Sequence, residues 1–282
     1  MTAAYEIDRD GIMANPEQVI EYPEIGIKIH AALNTDKGKL LDNVKTNCAR
    51  GHEQVWAWKE QDTVAAIVGG GASLLDTLGE LKETIEVNDA KIIALANTAH
   101  VLVENGIKPS ACVLLDARPN NANFIVDDLD CPYFVASQCD PSVFNKLEKL
   151  GRKIYIWHAV NDPDEFEAIN DAYEKWIPIQ GGNTILLRTL RLFSVLGFHK
   201  FDVFGFDSCM YNDSHHAYGQ PKADDDKAVK IGCNGKEFEV TGWMISQAME
   251  FIKTVKAFGQ NWKMRVHGDG LIEHLIRTTG GR

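Results

Sequence analysis

Two glycine-rich turns, a few strand-end acids and a histidine pair are the residues of this chain best suited to chemistry. Gly69, Gly70, Gly71, Ala72 and Ser73 (GGGAS) separate a short apolar β-type run from a segment with helical spacing. Glycines at such a junction let backbone amides approach a phosphate, and the helix N-terminus behind them favours negative charge. The turn is neither GxGxxG nor a P-loop with its GK[ST] ending. The same glycines would also suit a tight strand-to-helix turn that needs positive φ. Gly181, Gly182, Asn183 and Thr184 (GGNT) repeat the form, with Asn183 or Thr184 placed to cap the next helix. Two such turns on one sheet edge could cradle two parts of a single nucleotide. Taken alone, GGNT reads equally well as a cap.

Asp116 and Asp207 each follow an apolar strand pattern, in VLLDAR and VFGFDS. A carboxylate there is a candidate Mg²⁺ ligand, and Asp116 also a candidate ribose ligand; either acid can instead cap its own loop. Arg118 stands two residues beyond Asp116, where it could meet a phosphate. Asn97 and Thr98 end another strand. The segment NDSHHAY (212–218) gathers Asp213, His215, His216 and Tyr218. Adjacent histidines can face one centre only from a loop, where a metal, a phosphate contact or general acid–base work are all open. His158, His267 and His274 are isolated and read as structural.

These residues need a scaffold that brings them to one edge, and the apolar pattern supplies it. Runs at 63–68, 91–96, 111–116, 133–137, 153–158 and 201–206 read as buried strands, with WIPIQ (176–180) a short additional one. Helical spacing separates most of them. Continuous apolar strands alternating with helices mean a mostly parallel sheet covered on both faces, a Rossmann-like, doubly wound α/β fold. In such sheets ligands bind beyond the carboxyl ends of the strands, where these turns and acids fall. Residues 1–60 lack strand alternation and read as a helical N-terminal subdomain, with Trp56 and Trp58 packing inside it. Residues 61–282 form the nucleotide-binding domain. Asn234-Gly235 between two alternating runs marks a β-hairpin near 227–240, and helices and a last strand, MRV, follow it.

Composition narrows the function classes. The chain has 282 residues, 45% apolar, with a net charge of −11. That acidic balance argues against general affinity for nucleic acid or an anionic membrane. No apolar run is long enough to span a bilayer. The start carries acids and no apolar stretch, unlike a signal peptide. The six cysteines form no CxxC pair, which suits reduced thiols and a cytoplasmic location. The expected partners are a nucleotide and a small-molecule acceptor, with a homo-oligomer left open.

The order of motifs is strand–GGGAS–helix, ALANTA, GIKPSACVLLDAR, GGNT–helix–LGFHKFDVFGFD, HHAY, hairpin and VHGDGL. This order resembles the archaeal MptE-like 6-hydroxymethylpterin diphosphokinase family, which also includes the flagellin-modifying motility accessory proteins. The first turn of that family typically reads GxGPSL; here it is GGGASL, with Ala72 where proline is usual. The resemblance spans about residues 45–280. It implies a Rossmann-like domain distantly related to CMP-sialic-acid sialyltransferases, and one of two activities. One is ATP- and Mg²⁺-dependent diphosphate transfer to a hydroxymethylpterin-like alcohol. The other is glycosyl transfer from a CMP-sugar to protein. The flagellar relatives are usually much longer, which favours the pterin-type reading. In the first activity the glycine turns would hold phosphates, Asp116 and Asp207 would hold Mg²⁺, Arg118 would offset charge, and His215 or His216 would contact phosphate or accept a proton. In the second, His216 would act as base on the acceptor. A non-catalytic nucleotide-binding protein is the third reading.

Overall fold

The structure is a computed structural model describing residues 5–7, 18–22, 27–31, 35–160, 163–182, 184–211, 214, 216–219 and 228–279. Its strands follow the apolar runs. β1 (Tyr5–Ile7), β2 (Gln18–Tyr22) and β3 (Ile27–Ala31) pair in a small sheet of order β1-β3-β2. β4 (Glu53–Gln54), β5 (Gln61–Val68), β6 (Lys91–Leu95), β7 (Ala111–Leu114), β8 (Tyr133–Ala136), β9 (Ile154–Trp157), β10 (Phe198–Phe204) and β13 (Lys263–Val266) build the main sheet. Its order is β13-β10-β5-β6-β7-β8-β9-β4, and every pairing in it is parallel. The ends of β5 and β6 and all of β7 and β8 are buried. A parallel sheet covered by helices requires such runs, because neither face meets water.

Helices connect the strands: α1 (Lys37–Cys48), α2 (Leu74–Asn88), α3 (Thr98–Glu104), α4 (Pro141–Lys149), α5 (Pro163–Ala172), α6 (Ile185–Val195), α7 (Gly242–Phe258) and α8 (Leu271–Thr279). Side-chain caps set several starts. Asp140 accepts from Ser142, Thr184 from Leu187 and Thr241 from Met244. The chain runs outward from β5 through β9, then returns to place β10 on the other side of β5. The β5–β10 boundary is therefore the topological switch point, where the connections leave in opposite directions and open a crevice. Both α2 and α6 pack on β5 and β10.

The hairpin is present as β11 (Val229–Cys233) and β12 (Lys236–Val240), closed by Asn234 and Gly235 at φ 44° and 85°. Two positive φ values are what a tight two-residue hairpin turn demands. The hairpin docks beside the switch point: the Met210 amide donates to Glu239 O, and Lys236 pairs with Asp269.

Three expectations change. The helical reading of residues 1–60 holds for α1 alone; β1–β3 precede it, and β4 extends the main sheet at β9. These strands are two to five residues long, too short for alternation to show. Trp56 and Trp58 are 41% and 45% exposed rather than packed away. WIPIQ adds no strand: only Pro178 bridges to His158, since proline has no amide for a ladder. The cysteines are free, and all but half-buried Cys233 are buried.

His158 follows β9 against Tyr173 and Trp176, 2% exposed, with no hydrogen-bond partner for either ring nitrogen among the described residues. Burial pushes its pKa down to about 4. The folded protein thus keeps the ring neutral while the unfolded chain takes up a proton below its ordinary value near 6.5. The stability this provides is complete above that value and is lost as pH falls toward 4. Between pH 7.5 and 5, urea unfolding should show the wild type losing about 2 kcal/mol more than His158→Phe. Equal losses would show that His158 is not held neutral.

Candidate functional site

At the switch point two turns interlock. The Gly69 amide donates to Phe204 O and the Gly71 amide to Gly205 O, both at 2.8 Å. A Cβ on Gly69 would lie 2.6 Å from Gly205 O, and one on Gly71 2.6 Å from Asp207 Oδ2 and 2.8 Å from Gly205 O. Neither glycine has positive φ, whereas Gly205 does, at 60°. Gly69 and Gly71 are therefore needed for close approach to a neighbouring backbone, not for a special turn conformation.

Asp207 is the centre of this contact. The Ser73 amide donates to its Oδ2 at 2.9 Å and the Ser73 hydroxyl to its Oδ1 at 2.5 Å. Asp207 O accepts from the Leu271 amide at the start of α8. A third turn closes over it: a Cβ on Gly270 would lie 2.6 Å from Asp207 Cα, and one on Gly268 2.7 Å from Ser73 Oγ. Asp207 is 4% exposed, and burial pushes its carboxyl above the ordinary range while the Ser73 bonds pull it down. The N-terminus of α2, expected to hold a phosphate, faces the chain's own carboxylate. This corrects the metal and catalytic role expected of Asp207: its oxygens are engaged and its surroundings are filled, so they do not fit a cation.

With Gly69, Gly71 and Ser73 engaged, and the Leu74 amide donating to Gly71 O, the amides of Gly70 and Ala72 are the turn's remaining donors. Gly70 O accepts from the Ala217 amide and from His216 Nδ1, each at 3.0 Å. A carbonyl only accepts, so this contact places a hydrogen on Nδ1. The His216 ring stacks on Tyr218, with centroids 5.5 Å apart. The Tyr218 hydroxyl lies over Gly70, 2.5 Å from where a Cβ would stand. Beside them is an open cleft of about 200 Å³ lined by Ala72, Leu75, Asp76, Tyr211, Ser214, His216 and Ala217. In it the Tyr211 hydroxyl donates to Asp76 Oδ2 at 2.8 Å.

The other expected residues divide. GGNT reaches the same edge: a Gly69 Cβ would lie 3.0 Å from Leu186 in the first turn of α6. Gly181 and Gly182 have φ of 132° and 83° and are hemmed in by Arg191 and Leu187, and Thr184 caps α6. Buried Arg188 holds this turn, donating to Gly182 O and Ile179 O. Thr98 is fully buried; its hydroxyl meets Leu95 and Val68 O and does not face a ligand. Asn97 starts α3 half-buried, without a side-chain cap bond. Asp116 follows β7, two strands or about 10 Å from β5, and three from β10. It therefore shares no centre with Asp207. Arg118 clasps the Asp116 carboxylate through Nε, Nη2 and its own amide. His215 and Asn183, with Asp213, lie outside the described residues. Among the described residues no cluster of three His, Cys, Asp or Glu is arranged for a metal, and no helix is long and apolar enough to cross a membrane.

Asp76, Tyr211 and Arg188 went unnoticed in the sequence. Asp76 looks like an ordinary first-turn helix acid and Arg188 like one polar residue in an amphipathic helix, and neither carries a local signal.

The model of the family described as 6-hydroxymethylpterin diphosphokinase MptE-like matches residues 38–213. Among solved structures, the MAf glycosyltransferase from Magnetospirillum magneticum AMB-1 superposes with a TM-score of 0.63 at 15% identity. The match covers 85% of this chain and 38% of that one, so this chain spans well under half of that protein's length. The likeness shows the fold. The A domain of a carboxylic acid reductase from Segniliparus rugosus aligns with a TM-score of 0.19 and 9% identity over 56% of this chain and 26% of that one, which carries no argument. No curated protein matches in sequence.

The geometry separates neighbouring glycines. Gly71→Ala drives a methyl into backbone and Asp207, which should cost about 1–3 kcal/mol and lower Tm by several degrees. Gly70→Ala first meets the hydroxyl and ring edge of Tyr218, so Tm should fall less than for Gly71→Ala while ligand affinity falls. Calorimetric melts of both variants decide it; equal losses would show that the two glycines do the same job.

Proposed function

The chain belongs to the MptE-like 6-hydroxymethylpterin diphosphokinase family, and on that premise we propose that it transfers a diphosphate from ATP to a hydroxymethylpterin-like alcohol. The observation that carries this reading is His216, whose Nδ1 donates to Gly70 O at the switch point. The acceptor hydroxyl oxygen attacks the β-phosphorus of ATP, forming the new P–O bond as the bond from that phosphorus to the AMP oxygen breaks. His216 takes the hydroxyl proton, and AMP leaves. Such transfer depends on positioning and charge neutralisation more than on covalent chemistry.

The cationic help lies two strands away. Arg118, about half exposed, now faces Asp116. A phosphate chain reaching across the strand ends would draw Arg118 to itself and uncover the Asp116 carboxylate. Mg²⁺ suits that place, because it binds through one or two carboxylates plus substrate phosphates. Bound there, it would neutralise phosphate charge. The Gly70 and Ala72 amides are the donors for the near end of the chain.

The second reading is glycosyl transfer from a CMP-sugar, which the fold of the MAf glycosyltransferase brings into view. Thermal shifts with ATP, GTP, CMP and CDP, with and without Mg²⁺, separate the two. A ligand at 100 times its Kd should add about 2.7 kcal/mol. ATP with Mg²⁺ should stabilise the protein, and AMP should appear when 6-hydroxymethylpterin is added. Stabilisation by CMP with no AMP release would favour the glycosyl reading, and silence throughout a nucleotide-independent role. His216→Gln should lower kcat by about 100-fold or more with little change in Tm. Asp116→Asn should lower Mg²⁺-dependent turnover more than tenfold, about 1.4 kcal/mol. Its effect on stability should be small, since exposed ion pairs contribute little. A destabilised Asp116→Asn with normal turnover would instead make the acid a loop cap.

A further inference from the structure

A cleft lies between α2 and Tyr211, Ser214, His216 and Ala217. Among the described residues its lining has one carboxylate, Asp76, and no lysine or arginine. Tyr211 OH occupies Asp76 Oδ2, and Oδ1 has no partner among the described residues. Leu75, 49% exposed, Ala72 and Ala217 supply its apolar lining, and Tyr211 and His216 contribute planar rings. The Tyr211 hydroxyl is pushed above its ordinary pKa, first by its bond to Asp76 and further by the charges of Asp207 and Asp269. The field here repels phosphates and attracts hydrogen-bond donors. The volume, about 200 Å³, is small for a whole nucleotide.

We propose that this cleft is the acceptor subsite and that Asp76 reads the donor edge of a 2-amino-4-oxo heterocycle, accepting its ring N–H and exocyclic N–H₂. The inference rests on the diphosphate-transfer reading and adds the residue that selects its acceptor. A carboxylate matches that edge because two parallel donors meet acceptor oxygens, with the charge strengthening each bond. Tyr211 is a positioning residue: its bond to Oδ2 fixes the carboxylate's rotamer and leaves Oδ1 turned to the ligand. The ring would stack between Tyr211 and His216 above Leu75. This places the substituent hydroxymethyl on the His216 side, toward Gly70, where the phosphates arrive. A carboxylate that accepts from an amino group disfavours an analogue carrying an oxygen there, because two acceptors then face each other.

The test compares 6-hydroxymethylpterin with 6-hydroxymethyllumazine, in which an oxo group replaces the 2-amino group, on wild type and Asp76→Asn. Kd is read by calorimetry, and AMP release with ATP and Mg²⁺ is read for each pair. Wild type should favour the pterin at least tenfold in Kd and in KM. Asp76→Asn should lose that preference mainly by weakening the pterin, with kcat changed far less than KM and Tm unchanged. Because Asp76 is exposed on the first turn of α2, the variant should fold. Turnover with no pterin preference, or a preference that survives Asp76→Asn, would overturn the role of Asp76 and leave diphosphate transfer standing. Neither binding nor AMP release with either heterocycle would overturn both readings together.

Discussion

Everything at the ligand edge is arranged around the grip of Asp207 on the first turn of α2. An acid at a helix N-terminus is stabilised by the amides there and by the helix dipole. Here the two partners are 134 residues apart in the chain. The bond therefore ties β5 to β10 across the switch point, and Gly268 and Gly270 bring the β13 turn onto the same spot. Three connections converge with no room for a methyl group between them. The crevice that a doubly wound sheet opens at this boundary is partly closed by the protein itself, and the proposed ligand surface lies outward of it, at Gly70, Ala72, His216 and the cleft against α2.

That displacement gives the site a polarity. On the α2 side the groups are Asp76, Tyr211 and His216: acceptors and flat rings. Two strands away, beyond β6, are Asp116 and Arg118. Strand spacing sets the distance between these ends at about 10 Å, which suits a heterocycle bearing a methylene at one end and a phosphate chain at the other. A single phosphate cradle at GGGAS would not need such separation. The same parallel sheet that makes the strands uniformly apolar also fixes the reach of the ligand, because both follow from strands lying side by side with helices over their faces.

The strands of the main sheet were legible because burial on both faces leaves an unbroken apolar run, a signal local to each strand. The hairpin was legible because two positive φ values restrict its turn to residues such as Asn234 and Gly235. The cap by Thr184 was legible for a similar local reason. What was hidden is non-local. Ser73 and Asp207 each look like candidates for a ligand until the fold shows that each is the other's partner. Thr98 looked equally available, yet its hydroxyl closes the β6–α3 corner on Leu95 and Val68. β1–β4 were hidden for the opposite reason: they are too short to display a period, and only pairing makes them strands.

The glycine run shows why such a motif is ambiguous. Glycine in sequence says that something comes close; it does not say what. At Gly69 and Gly71 the close object is the backbone of Gly205 and the carboxylate of Asp207, fixed parts of the fold. At Gly70 it is the hydroxyl and ring edge of Tyr218. A phosphate can replace a tyrosine hydroxyl but cannot replace a carbonyl that closes the sheet. Within one run of identical residues, then, two serve the core and the third serves the ligand edge. The difference lies in whether the neighbour is backbone and a buried acid or the edge of an aromatic side chain, a property that only the folded chain assigns.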